Sequence, residues 1–157
     1  ADDFTDPAAA HIFSHLSASV VLSRKRASEG LYPAVDPLAS ASVMLTPSVV
    51  GQRHYDIARA VRRTLAEYEE LRDIIAMLGL EELSAADRAT VARARRLERF
   101  LTQPFFTTGS FSGMEGKMVP IADTLAGCET VLGQTQFDLP ESAYYMIGGL
   151  DDLEAKS

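Results

Sequence analysis

Apolar residues recur at three-and-four spacing through the middle of the chain. Ile57, Val61, Leu65, Tyr68, Leu71, Ile75 and Leu78 fall on one stripe, which predicts an amphipathic helix over 54–78 with that face inward. Gly79 follows, where a helix commonly ends in a left-handed residue. A second helix is predicted from Ser84 to about Leu101. Ser84 and Asp87 fit a capping box at its start, Val91, Ala94, Leu97 and Leu101 form its inner stripe, and Pro104 stops it. Beyond it the sequence predicts a Gly-, Ser- and Thr-rich loop over 107–116, a helix over 121–132, a short helix over 141–146 and an acidic turn over 150–156.

The first forty residues are patterned differently, with Pro7, Gly30, Pro33 and Pro37 breaking any long period. Ile12 and Leu16 predict a short helix over 8–16, and Ser19-Val20-Val21-Leu22 reads as a short buried strand. A lone strand leaves its own backbone groups without partners, so this end reads as cut from a larger α/β unit. The fold class expected is therefore mainly α, a helical bundle preceded by a one- or two-element remnant of an α/β domain.

Composition narrows the function. The 157 residues carry a net charge of -7, which disfavours nucleic acid as a partner because a basic surface supplies most non-specific affinity. Cys128 is the single cysteine, so no internal disulfide or cysteine-based zinc site is available, and a buried thiol is expected. No continuous apolar window reaches membrane-spanning length and the Ala1-Asp2-Asp3 start is acidic where a signal peptide is basic, so membrane association is expected only through a partner. His11 and His15 have a metal-compatible spacing but no third ligand at suitable spacing, and no metal site is expected. Arg88, Arg93, Arg95, Arg96 and Arg99 read as a solvated face balanced by carboxylates. No Gly-x-x-x-x-Gly-Lys-Ser/Thr phosphate loop occurs, so the chain alone is not expected to cleave a nucleoside triphosphate.

Five collinear segments carry a resemblance: Ala1-Asp2-Asp3-Phe4-Thr5-Asp6-Pro7, Leu31-Tyr32-Pro33-Ala34-Val35-Asp36-Pro37, Asp73-Ile74-Ile75-Ala76-Met77-Leu78-Gly79, Arg99-Phe100-Leu101-Thr102-Gln103-Pro104-Phe105, and Leu139-Pro140-Glu141-Ser142-Ala143-Tyr144-Tyr145-Met146. In order and spacing the chain resembles the carboxyl-terminal portion of the catalytic β subunit of F-type ATP synthases. The resemblance implies that 1–44 end the nucleotide-binding domain and 45–157 form the C-terminal helical domain. It also implies ATP or ADP with Mg2+ as ligand of the full subunit, with no cofactor required by this portion, and α, γ and ε subunits as partners. The implied location is the cytoplasmic side of a bacterial inner membrane, as a peripheral part of an ion-translocating synthase.

Residue by residue, the resemblance implies that Tyr32, Phe105 and Phe111 line the adenine pocket, with Thr108 where the family has alanine. Flat rings suit a flat base, since offset stacking adds to area burial; on the residues alone the same three read as core aromatics. The segment Glu81-Glu82-Leu83-Ser84-Ala85-Ala86-Asp87 corresponds to the acidic loop that pushes on γ, so Glu81, Glu82, Leu83, Ser84 and Asp87 are expected contacts. Ala85 and Ala86 replace two acids there, which implies weaker charge-dependent inhibition by ε. Asp3, Thr5 and Asp6 correspond to the loop that catches γ, and Asp6 also suits an N-cap before Pro7. From another class, a free-standing helical adaptor binding a basic partner helix is the alternative.

Overall fold

The computed structural model of the chain describes residue 7, residues 11–12 and residues 15–154, the side chains of Phe111 and Glu154 excepted. Its elements are β1 (Ala18–Ser19), α1 (Arg24–Ser28), β2 (Ala41–Ser42), α2 (Pro47–Val50), α3 (Gln52–Leu78), a 3₁₀ turn (Leu80–Glu82), α4 (Ala85–Phe100), a 3₁₀ turn (Phe106–Thr108), α5 (Gly109–Ser112), α6 (Ile121–Gly133), a 3₁₀ turn (Glu141–Tyr144) and α7 (Asp151–Glu154). The mainly helical fold expected from the apolar stripes is the one adopted. Within the loop expected over 107–116, two short helical turns form, Phe106–Thr108 and Gly109–Ser112, the first beginning one residue before it.

Helix α3 runs between two glycines that hold it at both ends. Gly51 (φ 84, ψ 155) and Gly79 (φ 89, ψ 163) both occupy a backbone region essentially closed to residues with a Cβ. The positive φ expected at Gly79 is present, in an extended rather than a left-handed helical form. Ile57, Val61, Leu65 and Tyr68 are buried as the stripe predicts, each removal from water contributing about 2 kcal/mol. Leu78, expected on that stripe, is instead 65% exposed beside Ile74 and Met77, because the last turn of α3 runs beyond the packed faces.

Helix α4 crosses α3 and buries Val91, Ala94, Leu97 and Phe100. The expected cap is present, with Ser84 Oγ accepting from Asp87 N at 3.1 Å and donating to its carboxylate at 2.8 Å. Helix α6 closes the core through Cys128 and Val131. It comes closest to α4 at Gly127, where a Cβ would stand 2.0 Å from the Phe100 ring. The arginines of α4 fit the expected solvated, carboxylate-balanced face only in part: Arg88 is exposed and Arg95 and Arg99 pair with Glu141, whereas Arg96 turns inward. Arg96 is buried, its guanidinium 4.0 Å from the Phe137 ring centroid and donating to the carbonyls of Ala92 and Leu139, which ties the C-terminal segment to the bundle.

The early segment forms a two-stranded antiparallel ribbon, Ala18 opposite Ser42 and Ser19 opposite Ala41, with an isolated bridge between Leu22 and Val35. The buried strand expected over 19–22 is a correction: Val20 and Leu22 are 70% and 71% exposed. Alternation along an extended backbone turns Val21 toward the body and its two neighbours away from it. Several tethers fix the ribbon to the helices. Arg62 on α3 donates to three carbonyls at once, Pro37 and Ser40 at 2.7 Å and Leu38 at 3.0 Å. Arg26 on α1 pairs with Glu98 on α4 at 3.0 Å, and Arg72 on α3 with Glu29 at 2.7 Å.

Candidate functional site

Three remote segments meet around a cavity of about 350 Å³ lined by Tyr32, Gln103, Pro104, Phe105, Thr108, Ser112, Met114, Tyr145 and Met146. Gly30, with φ +76, turns the chain out of α1 and presents Tyr32. The Tyr32 carbonyl then accepts from Gln103 N at 2.9 Å, which sets one wall beside the other. On the far side the Gln103 amide donates to the Lys117 carbonyl, and Lys117 N to the Pro104 carbonyl at 3.1 Å. Gly116 lies flat on Phe106, where a Cβ would be 2.4 Å from its backbone nitrogen. The loop therefore holds Phe105 at the rim.

Tyr32 and Phe105 stay 45% and 41% exposed, so both rings have free surface on the cavity side. The aliphatic hydroxyls nearby are already used: Thr108 Oγ1 donates to the Phe105 carbonyl at 3.1 Å, and Ser112 Oγ donates to the Thr108 carbonyl at 3.0 Å while accepting from Met114 N. What remains is an open, mostly apolar slot suited to a flat ring, with few side-chain groups left to read its edge. Of the residues expected here, Tyr32, Phe105 and Thr108 come together. Phe111 belongs to α5 between Thr108 and Ser112, and its side chain lies outside what is described.

Tyr145 and Met146 were missed by the sequence reading and form the back wall. Tyr145 donates its hydroxyl to the Gly30 carbonyl at 2.8 Å, and Met146 takes φ 53 with its N–H on Thr102 Oγ1 at 2.8 Å. A local signal existed in the Tyr144-Tyr145 pair. Tyr144 ends the 3₁₀ turn 4% exposed in the core, while Tyr145 follows in an extended conformation and is half-buried beside the cavity.

Behind Tyr145 lies a second cavity of about 280 Å³, lined by charge: Arg72, Arg95 and Arg99 against Glu29, Glu98 and Glu141. Glu141 holds Arg99 at 3.0 Å and Arg95 at 3.5 Å. Glu98 is buried, and burial pushes its carboxyl above the usual carboxylate range against the opposing pull of Arg26. Burial alone pushes the Cys128 thiol up to about 11, so it is protonated at neutral pH.

At the opposite end, Glu81 and Glu82 stand exposed on the 3₁₀ turn after α3, and Ser84 and Asp87 cap α4. Leu83, expected as a surface contact with its neighbours, is 6% exposed and belongs to the core, since an apolar side chain at a helix–helix turn gains more by packing inward. Arg88 donates to the carbonyls of Glu81 and Leu83 and stiffens the turn. Asp3, Thr5 and Asp6 lie outside the described residues. Among the described residues no group of three His, Cys, Asp or Glu side chains could hold a metal, and no helix is long and apolar enough to cross a membrane.

Comparison with known proteins finds relatives over the whole chain. A family model for the C-terminal domain of V and A type ATP synthase matches residues 44–127, and one for the nucleotide-binding domain of the ATP synthase alpha/beta family matches residues 1–42. ATP synthase subunit beta 1 of Dinoroseobacter shibae is 82% identical over 157 residues, which is 100% of this chain and 34% of that protein. ATP synthase subunit beta 2 of Nitrosomonas eutropha is 83% identical over 152 residues, 97% of this chain and 31% of that protein. Among solved structures, a unique ATP synthase subunit NeqB from Nanoarcheaum equitans matches with a TM-score of 0.70 at 25% identity, over 88% of this chain and 34% of its own. The chain thus spans about a third of the length of the curated relatives it matches.

Proposed function

The chain belongs to the ATP synthase alpha/beta family, as the C-terminal portion of a β subunit, and on that premise we propose that it supplies the base-binding pocket of a rotary ATP synthase and couples that pocket to the rotor. The observation that carries the reading is the convergence of Tyr32, Phe105 and Thr108, from segments some seventy residues apart, on one apolar cavity. The family-matched segments meet at residues 42–44, which supports dividing the chain at 44/45 into the end of a nucleotide-binding domain and a helical domain.

In this reading adenine of ATP or ADP stacks between Tyr32 and the Phe105 side, and Phe111 is the third ring that likeness to the family implies. The base is gripped by ring faces and by exclusion of water, and the phosphates are held by parts of the subunit upstream of these residues. Mg2+ would be held with the phosphates there; in this reading the residues present bind and orient the base. ATP synthesis or hydrolysis and ion transport are properties of the assembled complex with α and γ, and the subunit reaches the bacterial inner membrane only as a peripheral part of that complex. The exposed Ile74, Met77, Glu81 and Glu82 at the tip of α3 suit a rotor contact that is apolar at its centre and acidic at its edge. Asp3, Thr5 and Asp6 would add hydrogen-bond acceptors to γ. With Ala85 and Ala86 in place of acids, inhibition by ε would be weak.

The test is a titration of the complete β-type subunit with Mg-ADP and, separately, with inorganic tripolyphosphate, which has no base. Tyr32→Ala is expected to weaken ADP by about tenfold, the worth of one stacked aromatic face, and to leave tripolyphosphate unchanged. Equal ADP affinity in the variant and the parent would sink the pocket.

A further inference from the structure

We propose that Tyr145 is a positioning residue of the base pocket, the brace that sets the distance between the Tyr32 wall and the Phe105 wall; this rests on the pocket reading above. The two walls are joined directly at one backbone point, Gln103 N to the Tyr32 carbonyl at 2.9 Å, and the segment 145–146 adds a second span that fixes the angle between them. Tyr32 follows a turn at Gly30, and Phe105 follows the end of α4. The segment 145–146 touches both. Its tyrosyl hydroxyl donates to the Gly30 carbonyl at 2.8 Å, two residues before Tyr32, and the next N–H donates to Thr102 Oγ1 at 2.8 Å, three residues before Phe105.

The anchor on the Phe105 side is firm. Thr102 is 3% exposed, and its hydroxyl also donates to the Arg99 carbonyl at 2.5 Å. Met146 is held at φ 53, a conformation that costs a non-glycine residue energy and persists only where surrounding contacts fix it. The strain turns the chain so that Tyr145 reaches back to Gly30 while its ring lines the cavity beside Tyr32. The same ring borders the charged cavity behind.

A brace of this kind acts through the base and not through the phosphates. Tyr145→Phe keeps the ring and removes only the donor. In the complete subunit it is expected to weaken Mg-ADP by about three- to tenfold, the worth of one hydrogen bond, and to leave inorganic tripolyphosphate within about twofold of the parent. In the assembled enzyme the KM for ATP is expected to rise with kcat unchanged, since the base is bound alike in ground and transition states. Tyr145→Leu, which loses ring and donor together, is expected to lose more than Tyr145→Phe while tripolyphosphate again holds. Unchanged ADP affinity in Tyr145→Phe, or an equal loss of ADP and tripolyphosphate, overturns the brace. Tyr32→Ala in the same series separates the two claims: if it weakens ADP and Tyr145→Phe does not, the pocket stands and the brace falls, and if neither does, both fall.

Discussion

Two cavities of similar size share the Tyr145 ring and are built on opposite principles. The front one is mostly apolar, its Thr108 and Ser112 hydroxyls spent on nearby carbonyls, and its Tyr32 and Phe105 rings half exposed. The back one has three arginines facing three carboxylates, each arginine near a partner of opposite sign. The first has unsatisfied surface to offer a ligand and little charge to satisfy. The second has charge in plenty and has already satisfied it, so it stitches α1, α3, α4 and the 141–144 turn together. Cavity volume alone would not tell a binding site from a structural seam; the state of the lining groups does.

Substitutions can break that contrast, beginning with the most severe. Glu98→Ala leaves Arg26, only 16% exposed, without its partner and should cost about 3 kcal/mol in urea unfolding of the chain, whereas Phe105→Ala should move the same midpoint little. Phe105→Ala should instead weaken ADP binding about fivefold or more in calorimetric titration, because a stacking face is lost at a half-exposed site. Glu141→Gln removes two ion pairs whose partners are about a third exposed, and solvent screening limits its effect to about 1 kcal/mol or less, read as a small fall in melting temperature.

The gentlest test is pH. The Glu98 carboxyl has a folded pKa above its unfolded one, so the native state binds its proton more tightly. The stability this contributes is complete below the unfolded pKa of about 4.3 and is lost as the pH rises through the folded value. Urea midpoints taken upward from pH 4 should decline in the parent relative to Glu98→Gln, and parallel curves would place the charged seam in water rather than in the protein.

How much of this was legible beforehand depended on the range of the contacts. Helices α3 and α4 were readable from Ile57, Val61, Leu65, Val91 and Ala94 at helical spacing and from the Ser84–Asp87 box, because those signals are local. The ribbon was misread because burial of Val20 and Leu22 depends on what lies across the sheet face, which a run of β-branched residues does not state. Tyr32 and Phe105 were assigned only through likeness to a family, since no local pattern distinguishes a stacking ring from a core ring. Tyr145 escaped because its partner is Gly30, more than a hundred positions away, and Leu83 because a family motif says nothing of which of its members turns inward.

The three-carbonyl grip of Arg62 has a mechanical meaning. It clamps the segment that follows Tyr32 to one point on a stiff rod, and roughly 24 Å of helix separates that clamp from the exposed tip at Leu78. Pivoting about the clamp by about 5° sweeps the tip through about 2 Å on this rise per residue. Under the rotor coupling proposed above, a displacement at the tip would reach the clamped segment after Tyr32, close to the pivot, as a smaller one.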